Sequence, residues 1–250
     1  MYQGFYTIAS GVLMEERAIN VLSNNVVNAR TPGYKSSRLV STTFEEELLR
    51  VENGTRTSIG TATPISIVSE APTKFDSDSL VETGRALDIA INGEGFFEIR
   101  AEEAEETVYL TRNGNFELDA DGYLMLQGKG RVQGQRGEIR LESSDLFVDA
   151  SGGIYDVNGR YVDTLKITVP GEGERLERTD NSLFLLQEGA QGVPAAQYTI
   201  AQKWLEQSNV NLNREYTMLM EAQRSFQSCS TALQILDRMN QKAATQIASL

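Results

Sequence analysis

Two stretches of this chain repeat their apolar residues every seven positions, one at each end. Near the C-terminus, Leu212, Leu219, Phe226, Leu233, Asn240 and Ile247 form one such row. Ala222, Cys229, Leu236, Ala243 and Leu250 form a second row three places further on. Two rows at a and d spacing, sustained over several heptads, are the pattern of a helix in a coiled coil. No Pro or Gly interrupts Leu205 to Leu250, so one continuous helix is expected there. At ~1.5 Å rise per residue it is roughly 65 Å long, more than one compact domain needs to cover itself. Either the helix folds onto a core of its own chain, or other helices complete its stripe.

At the opposite end Phe5, Val12, Ile19 and Val26 are seven apart, and Ile8, Leu22 and Ala29 occupy the second row, with Glu15 interrupting it. A helix from Gly4 to Ala29 follows, ended by Thr31-Pro32-Gly33. Pro32 disfavours helical backbone at Thr31, and Gly33 supplies freedom for a turn. The pattern therefore predicts an α+β chain. Residues 1–35 and 205–250 form long helices that pair as a coiled coil, residues 36–86 an extended connecting arm, and residues 87–204 an inserted, hairpin-rich antiparallel β-domain.

The middle supports that expectation. Tyr34 to Arg50 suits a short helix or an ordered extension, and the Thr- and Ser-rich Val51–Thr83 suits an arm with one or two strands. Leu87 to Asn92 alternates, Gly93-Glu94-Gly95 turns, and Phe96 to Ile99 continues as a strand. Asn113-Gly114 after Val108–Thr111 is a hairpin signal, and Asp119–Gly122 is a second turn. Gly128–Gly130, Ser151–Gly153 and Asn158-Gly159 separate further short strands. Of 21 glycines, 18 lie between residues 36 and 204 and none after 205, which separates a turn-rich middle from helical ends.

Charge sharpens the picture. The net charge is −12, while residues 1–35 carry +1 and residues 205–250 carry 0, leaving −13 in the middle. Near-neutral helices pack side by side without strong repulsion, and an acidic middle stays solvated. No basic patch favours nucleic acid, and no run approaches the ~20 apolar residues of a membrane span. The N-terminus Met1–Phe5 has neither the basic nor the apolar region of a cleaved secretion signal. Cys229 cannot form an intramolecular disulfide and falls on the apolar stripe, as a small buried residue would.

Candidate chemistry is sparse. Without histidine, Ser-His-Asp and Cys-His catalysis and His-ligated metals are excluded. Asp119 and Asp121 resemble the start of a calcium loop, but its last position falls on Gly130 in place of a bidentate Glu. Gly93-Glu94-Gly95 is too short for a phosphate loop. The Glu102, Glu103, Glu105, Glu106 run suits a solvated loop. No enzyme activity, cofactor, metal or small-molecule substrate is expected.

The motifs resemble one family. Leu22-Ser23-Asn24-Asn25-Val26-Val27-Asn28-Ala29-Arg30-Thr31-Pro32-Gly33-Tyr34-Lys35 is similar to the N-terminal signature of flagellar rod and hook proteins. Asp88 to Phe97, Thr111-Arg112-Asn113-Gly114-Asn115-Phe116 with Asp121–Leu124, and Glu206 to Asn211 resemble further family motifs in the same order, over nearly the whole chain. Val26-Val27 and Ala29-Arg30 depart from the family's more usual residues. The resemblance implies a structural subunit of the basal-body rod, of proximal or distal type, polymerising into a hollow axial drive shaft. Its partners would be further copies, other rod and hook subunits, the flagellar type III export apparatus, and the surrounding bushing rings and cell wall. It would lie in the bacterial flagellum basal body, at the periplasmic or cell-wall layer, exported without a cleaved signal. A glycan-binding or glycan-hydrolysing β-domain is the alternative.

In a polymer, Phe5, Ile8, Val12, Ile19, Leu22, Val26, Leu212, Leu219, Phe226, Leu233, Leu236 and Ile247 are the candidate assembly interface. Each large side chain contributes about 1.5–3 kcal/mol when buried. Asn240 in the stripe either sets register or faces solvent near the helix end. Asn24, Asn25 and Asn28 either cap the first helix or contact a neighbour, and with Thr31, Pro32, Gly33 and Tyr34 they form the motif.

Overall fold

A computed structural model describes residues 2–44, 47–52, 55–61, 65–71, 79–101, 107–171, 176–180, 182–186 and 192–248. The chain divides into two compact units. One contains residues 1–27, 37–74 and 211–250, and the other residues 28–36 and 75–210.

The first unit is built on helix α1, Tyr2–Val27, and helix α2, Leu212–Ala248. They pack against each other, and α1 also touches the strands Arg38–Phe44 and Ile65–Ala71. Asn25 Nδ2 donates to Glu215 Oε2 at 3.1 Å. A Cβ added to Gly11 would stand 3.7 Å from Cys229 Sγ. Going back along α1 from Asn25 to Gly11 thus goes forward along α2 from Glu215 to Cys229, so the helices are antiparallel. Asn211 starts α2 as an N-cap: its Oδ1 accepts the Arg214 N–H at 3.2 Å and its carbonyl accepts that of Glu215 at 2.9 Å.

The α+β expectation, with coiled-coil helices as the organising body, is overturned because the chain is β-rich. The expected arm is largely strand. Arg38–Phe44 pairs antiparallel with Ile65–Ala71, and Glu47–Glu52 with Thr55–Thr61. β-Branched Thr, Val and Ile fill these segments and favour a pleated surface over a helix. At the other boundary, Trp204–Glu206 is a strand paired with Leu80–Glu82, so α2 begins after Leu205, where the helix was expected to start.

The second unit is antiparallel throughout its pairings. Its largest sheet orders the strands Leu176–Asp180, Leu183–Leu186, Val108–Thr111, Phe96–Ala101, Gly130–Gly134, Leu124–Leu126 and Phe116–Leu118. A three-stranded sheet joins Leu146–Val148, Gly153–Asp156 and Tyr161–Thr164. Ile89, Ile91, Phe97, Ile99, Phe116, Leu124, Val132 and Ile154 are fully buried members of one core.

Two expected hairpins do not form. Ile89–Gly93 pairs with Tyr198–Gln202 rather than with Phe96–Ala101. Asn113-Gly114 joins no adjacent pair; Gly114 instead lies against Ile89, whose N–H donates to its carbonyl at 3.0 Å. A Cβ on Gly114 would stand 1.6 Å from the Ile89 carbonyl oxygen. Its glycine serves close backbone approach, not a tight turn.

Three other turns repeat one geometry. Asp119, Asp149 and Asp156 each donate their N–H to the carbonyl four residues on, at 2.9 Å. Each accepts on its own carbonyl the N–H of the glycine three residues on, Gly122, Gly152 or Gly159. These glycines have φ of 83°, 89° and 74°, the left-handed region that a three-residue hairpin loop requires. Asp119, the first residue of the calcium-like stretch, therefore opens a hairpin turn.

Candidate assembly surface and motif cluster

The interface candidates on α1 lie along one face. Leu22 is buried, while Phe5, Ile8, Val12, Ile19 and Val26 are half-buried. On α2, Leu212, Leu219, Phe226, Leu233 and Leu236 are half-buried, Ala222 is buried and Asn240 is exposed. The Ile247 side chain, like the Glu102–Glu106 run, lies outside the described residues. The two stripes meet each other but remain partly open to solvent.

Each helix carries further apolar residues outside its stripe. Tyr6, Leu13 and Val27 are 64%, 60% and 76% exposed, at seven- and fourteen-residue spacing along α1. Tyr216, Met220, Ile235 and Met239 are exposed on α2. Exposed apolar surface of this kind is available for a second chain to cover.

The motif residues separate between the units. Asn24 is exposed. Asn25 is buried in the helical unit, where its Nδ2 donates to the Ser37 carbonyl at 2.9 Å and its Oδ1 accepts the Ser37 N–H at 3.0 Å. It closes the loop between α1 and the following strand. Asn28 belongs to the β-unit and accepts from the Thr31 hydroxyl at 3.2 Å. Thr31 and Pro32 are half-buried, whereas Gly33, Tyr34 and Lys35 are buried.

Residues 31–36 are threaded into the β-unit. The Gly33 N–H donates to the Glu206 carbonyl at 2.8 Å, and the Asn209 N–H to the Tyr34 carbonyl at 3.3 Å. The Ser36 N–H donates to Asn209 Oδ1 at 2.6 Å. Gly33 has φ of 66°, and a Cβ there would stand 2.4 Å from the Arg112 carbonyl carbon.

A buried charge cluster lies at this crossing. Lys35 Nζ is 2.6 Å from Glu206 Oε1, and Arg112 Nη1 is 3.5 Å from Glu206 Oε2. Arg112 also donates to the Gly93 carbonyl at 2.8 Å, and its guanidinium lies 5.2 Å from the Phe96 ring centroid. Burial pushes the Arg112 guanidinium below its ordinary value, and the Glu206 carboxylate opposes that shift. Arg178 stacks over Tyr34 at 4.7 Å, donates to its hydroxyl at 3.2 Å, and donates to the Lys35 carbonyl. Charges so placed need partners, because an isolated buried ion is costly to desolvate.

Sequence reasoning missed Lys35, Arg112, Arg178 and Glu206 as a set. The signal lay in the motifs: Lys35 closes the first, Gly93 and Phe96 belong to the second, Arg112 to the third, and Glu206 opens the last. Four separate motifs are thus four walls of one cluster.

Residues 90–181 match the family described as the flagellar hook protein FlgE/F/G D1 domain. Residues 201–247 match the flagellar basal body rod FlgEFG protein C-terminal family. The chain belongs to the flagellar basal-body rod family. It is similar to the flagellar hook-basal body complex protein FlhO of Bacillus subtilis (strain 168), 28% identical with the full length of both chains covered. It is 29% identical to the flagellar basal-body rod protein FlgG of the same organism, over 97% of this chain and 98% of that one. With the rod protein FlgF of Caulobacter vibrioides it shares 24% identity, again over both full lengths. The motif cluster accordingly falls within a rod-family chain matched from end to end.

Proposed function

We infer that this rod-family chain is a structural subunit that polymerises with further copies and with other rod and hook subunits in the flagellar basal body. The observation that carries this is the helix pair: each helix meets its partner along one stripe and still bears exposed apolar residues outside it. Such residues gain about 1.5–3 kcal/mol each when a neighbouring subunit covers them. The polymer is a hollow shaft that transmits torque and lets later subunits pass. Its subunits leave the cell through the flagellar type III export apparatus and assemble at the periplasmic or cell-wall layer. Catalysis has no part in this role.

Sedimentation velocity on the full chain, alone and mixed with purified rod and hook subunits, tests the reading. Association that grows with concentration, or on mixing, is expected. A chain that stays monomeric under every such condition sinks it.

A further inference from the structure

The three-stranded sheet of the β-unit carries an unusual outer face. Val148, Ile154 and Asp163 are in register across its strands and are buried, so the residues alternating with them point outward. An outward sheet face is ordinarily polar. Here it bears Phe147, Tyr155 and Tyr161, again in register, with ring centroids 6.2 and 5.8 Å apart. Phe147 is 60% exposed and Tyr161 40%. Cross-strand aromatic pairs steady a sheet, but that gain does not require rings left in water, and exposed apolar surface marks a contact site.

Local hydrogen bonds hold these rings in place. The Tyr155 hydroxyl donates to Asp149 Oδ2 at 3.3 Å, and the Tyr161 hydroxyl shares a 2.8 Å hydrogen bond with Thr164 Oγ1. The Arg136 guanidinium lies 5.2 Å from the Tyr161 ring centroid and continues the row. Successive ring planes turn by 43° and 67°, so the row is twisted rather than flat.

Tyr161 also forms one wall of an open cleft of about 720 Å³, within the size range of ligand sites. Asp121, Glu142 and Asp156 line it together with Arg140 and Arg160. Opposite charges meet there: Arg160 is 3.5 Å from Glu142, and Arg131 reaches Asp121 at 3.6 Å. Arg140 donates to the Asp121 carbonyl at 3.2 Å. In a chain of net charge −12 this cleft is close to neutral, and it favours neither an anion nor a cation. Its donors and acceptors stand side by side, an arrangement that a hydroxyl can meet in either sense.

We propose that the cleft and the aromatic row together bind a neutral polysaccharide chain. A sugar ring has apolar C–H faces that lie against an aromatic ring, and a rim of hydroxyls that both donate and accept. The row takes the faces of successive sugar units, and the carboxylates and guanidiniums of the cleft take their hydroxyls. An extended chain, each unit turned relative to the last, follows the twist of the row. The Asp121 and Glu142 side chains are 73% and 79% exposed, whereas glycoside cleavage uses a carboxyl shielded from water as its acid. The site therefore binds without cutting. This proposal is independent of how copies of the chain associate.

Calorimetric titration of the full chain with chito-oligosaccharides and with cello-oligosaccharides tests it. Saturable binding of either is expected, and comparing the two shows whether acetamido or plain hydroxyl sugars are preferred. Phe147→Thr keeps a strand-forming residue and should weaken binding by ~2- to 10-fold. Glu142→Gln with Arg160→Gln changes two exposed side chains and should weaken it by a similar factor, with the unfolding midpoint unchanged. If Phe147→Thr does not fold, the second variant decides alone. Absence of binding to both oligosaccharides by the wild-type chain overturns the proposal, and so does wild-type affinity in either folded variant. Loss of self-association in Phe147→Thr, with no sugar bound by the wild type, would assign the row to a contact between copies instead.

Discussion

Lys35 and Glu206, separated by most of the chain, meet in a 2.6 Å ion pair with both side chains essentially removed from water. Glu206 also faces Arg112, at 3.5 Å, so one carboxylate answers two buried cations. Their removal should therefore be unequal. Lys35→Met leaves Glu206 with Arg112, whereas Glu206→Gln leaves both cations without their carboxylate. Breaking a buried pair from one side costs about 3–5 kcal/mol. Glu206→Gln should reach that range and Lys35→Met should fall below it. Denaturant midpoints of the two variants check the order, and equal losses would mean that Arg112 draws nothing from Glu206.

Gly33 gives a separate measure of how tightly the threaded segment is held. Its backbone is left-handed and a Cβ would collide with the Arg112 backbone. Gly84 also has positive φ, at 76°, but an added Cβ there meets nothing within 4 Å. Gly84→Ala should cost only the backbone strain, about 1 kcal/mol. Gly33→Ala should cost at least twice that, since backbone has to move. Thermal unfolding of the two variants side by side decides it.

The contrast between these glycines also marks what the sequence could reveal. The heptad rows announced both helices, and the glycine-containing stretches Asp119–Gly122, Ser151–Gly153 and Asn158-Gly159 announced real turns, because these signals act within a few residues. Strand partners were less legible. Ile89–Gly93 finds Tyr198–Gln202 more than a hundred residues away, and nothing local distinguishes that partner from the nearby Phe96–Ala101. Nothing local marks Lys35, Arg112 and Arg178 for burial, since only their distant partners make it tolerable. The family motifs held that information in pieces, without showing that the pieces touch.

Two of the repeated turns should make the β-unit sensitive to acid. For Asp119, burial raises the carboxyl pKa, but the Tyr123 and Asp121 N–H groups and Arg131 outweigh it and hold the pKa below the ordinary value. Asp149 is held low first by the Ser151 hydroxyl, with burial opposing and the Gly153 and Ser151 N–H groups and Tyr155 hydroxyl assisting. A folded pKa below the unfolded ~3.9 stabilises the fold above that value, and the contribution is lost as pH falls through the folded pKa. Stability should therefore decline on acidification below about pH 4, and Asp119→Asn with Asp149→Asn should flatten that decline. Unfolding followed from pH 6 to pH 2 checks the slope.

In the helical unit, Gly11 is a place where stability can be added. It lies in the interior of α1, and an added Cβ would make ordinary contact with Cys229 Sγ at 3.7 Å. Glycine in a helix interior is about 0.8–1 kcal/mol less favourable than alanine. Gly11→Ala should raise the stability of this unit by up to that amount without repacking. Helical circular dichroism during denaturation reads the gain, and a loss would show that the helices approach too closely there for a methyl group.

Leu13 separates assembly from folding. It is 60% exposed on α1, in the same outward row as Tyr6 and Val27, so replacing it removes little buried area from the single chain. Leu13→Lys should therefore leave the unfolding midpoint within about 0.5 kcal/mol of wild type, as surface substitutions do. In a polymer the same position would place a charge where a neighbour covers an apolar side chain, and an unpaired buried ammonium is strongly disfavoured. The expected outcome is a normally folded chain that does not extend, measured by sedimentation velocity beside the unfolding curve. Unfolding at a much lower denaturant concentration would place Leu13 in the core of the single chain. Normal folding with normal assembly would mean that the row faces solvent in the polymer too, leaving the paired stripes to hold neighbouring copies.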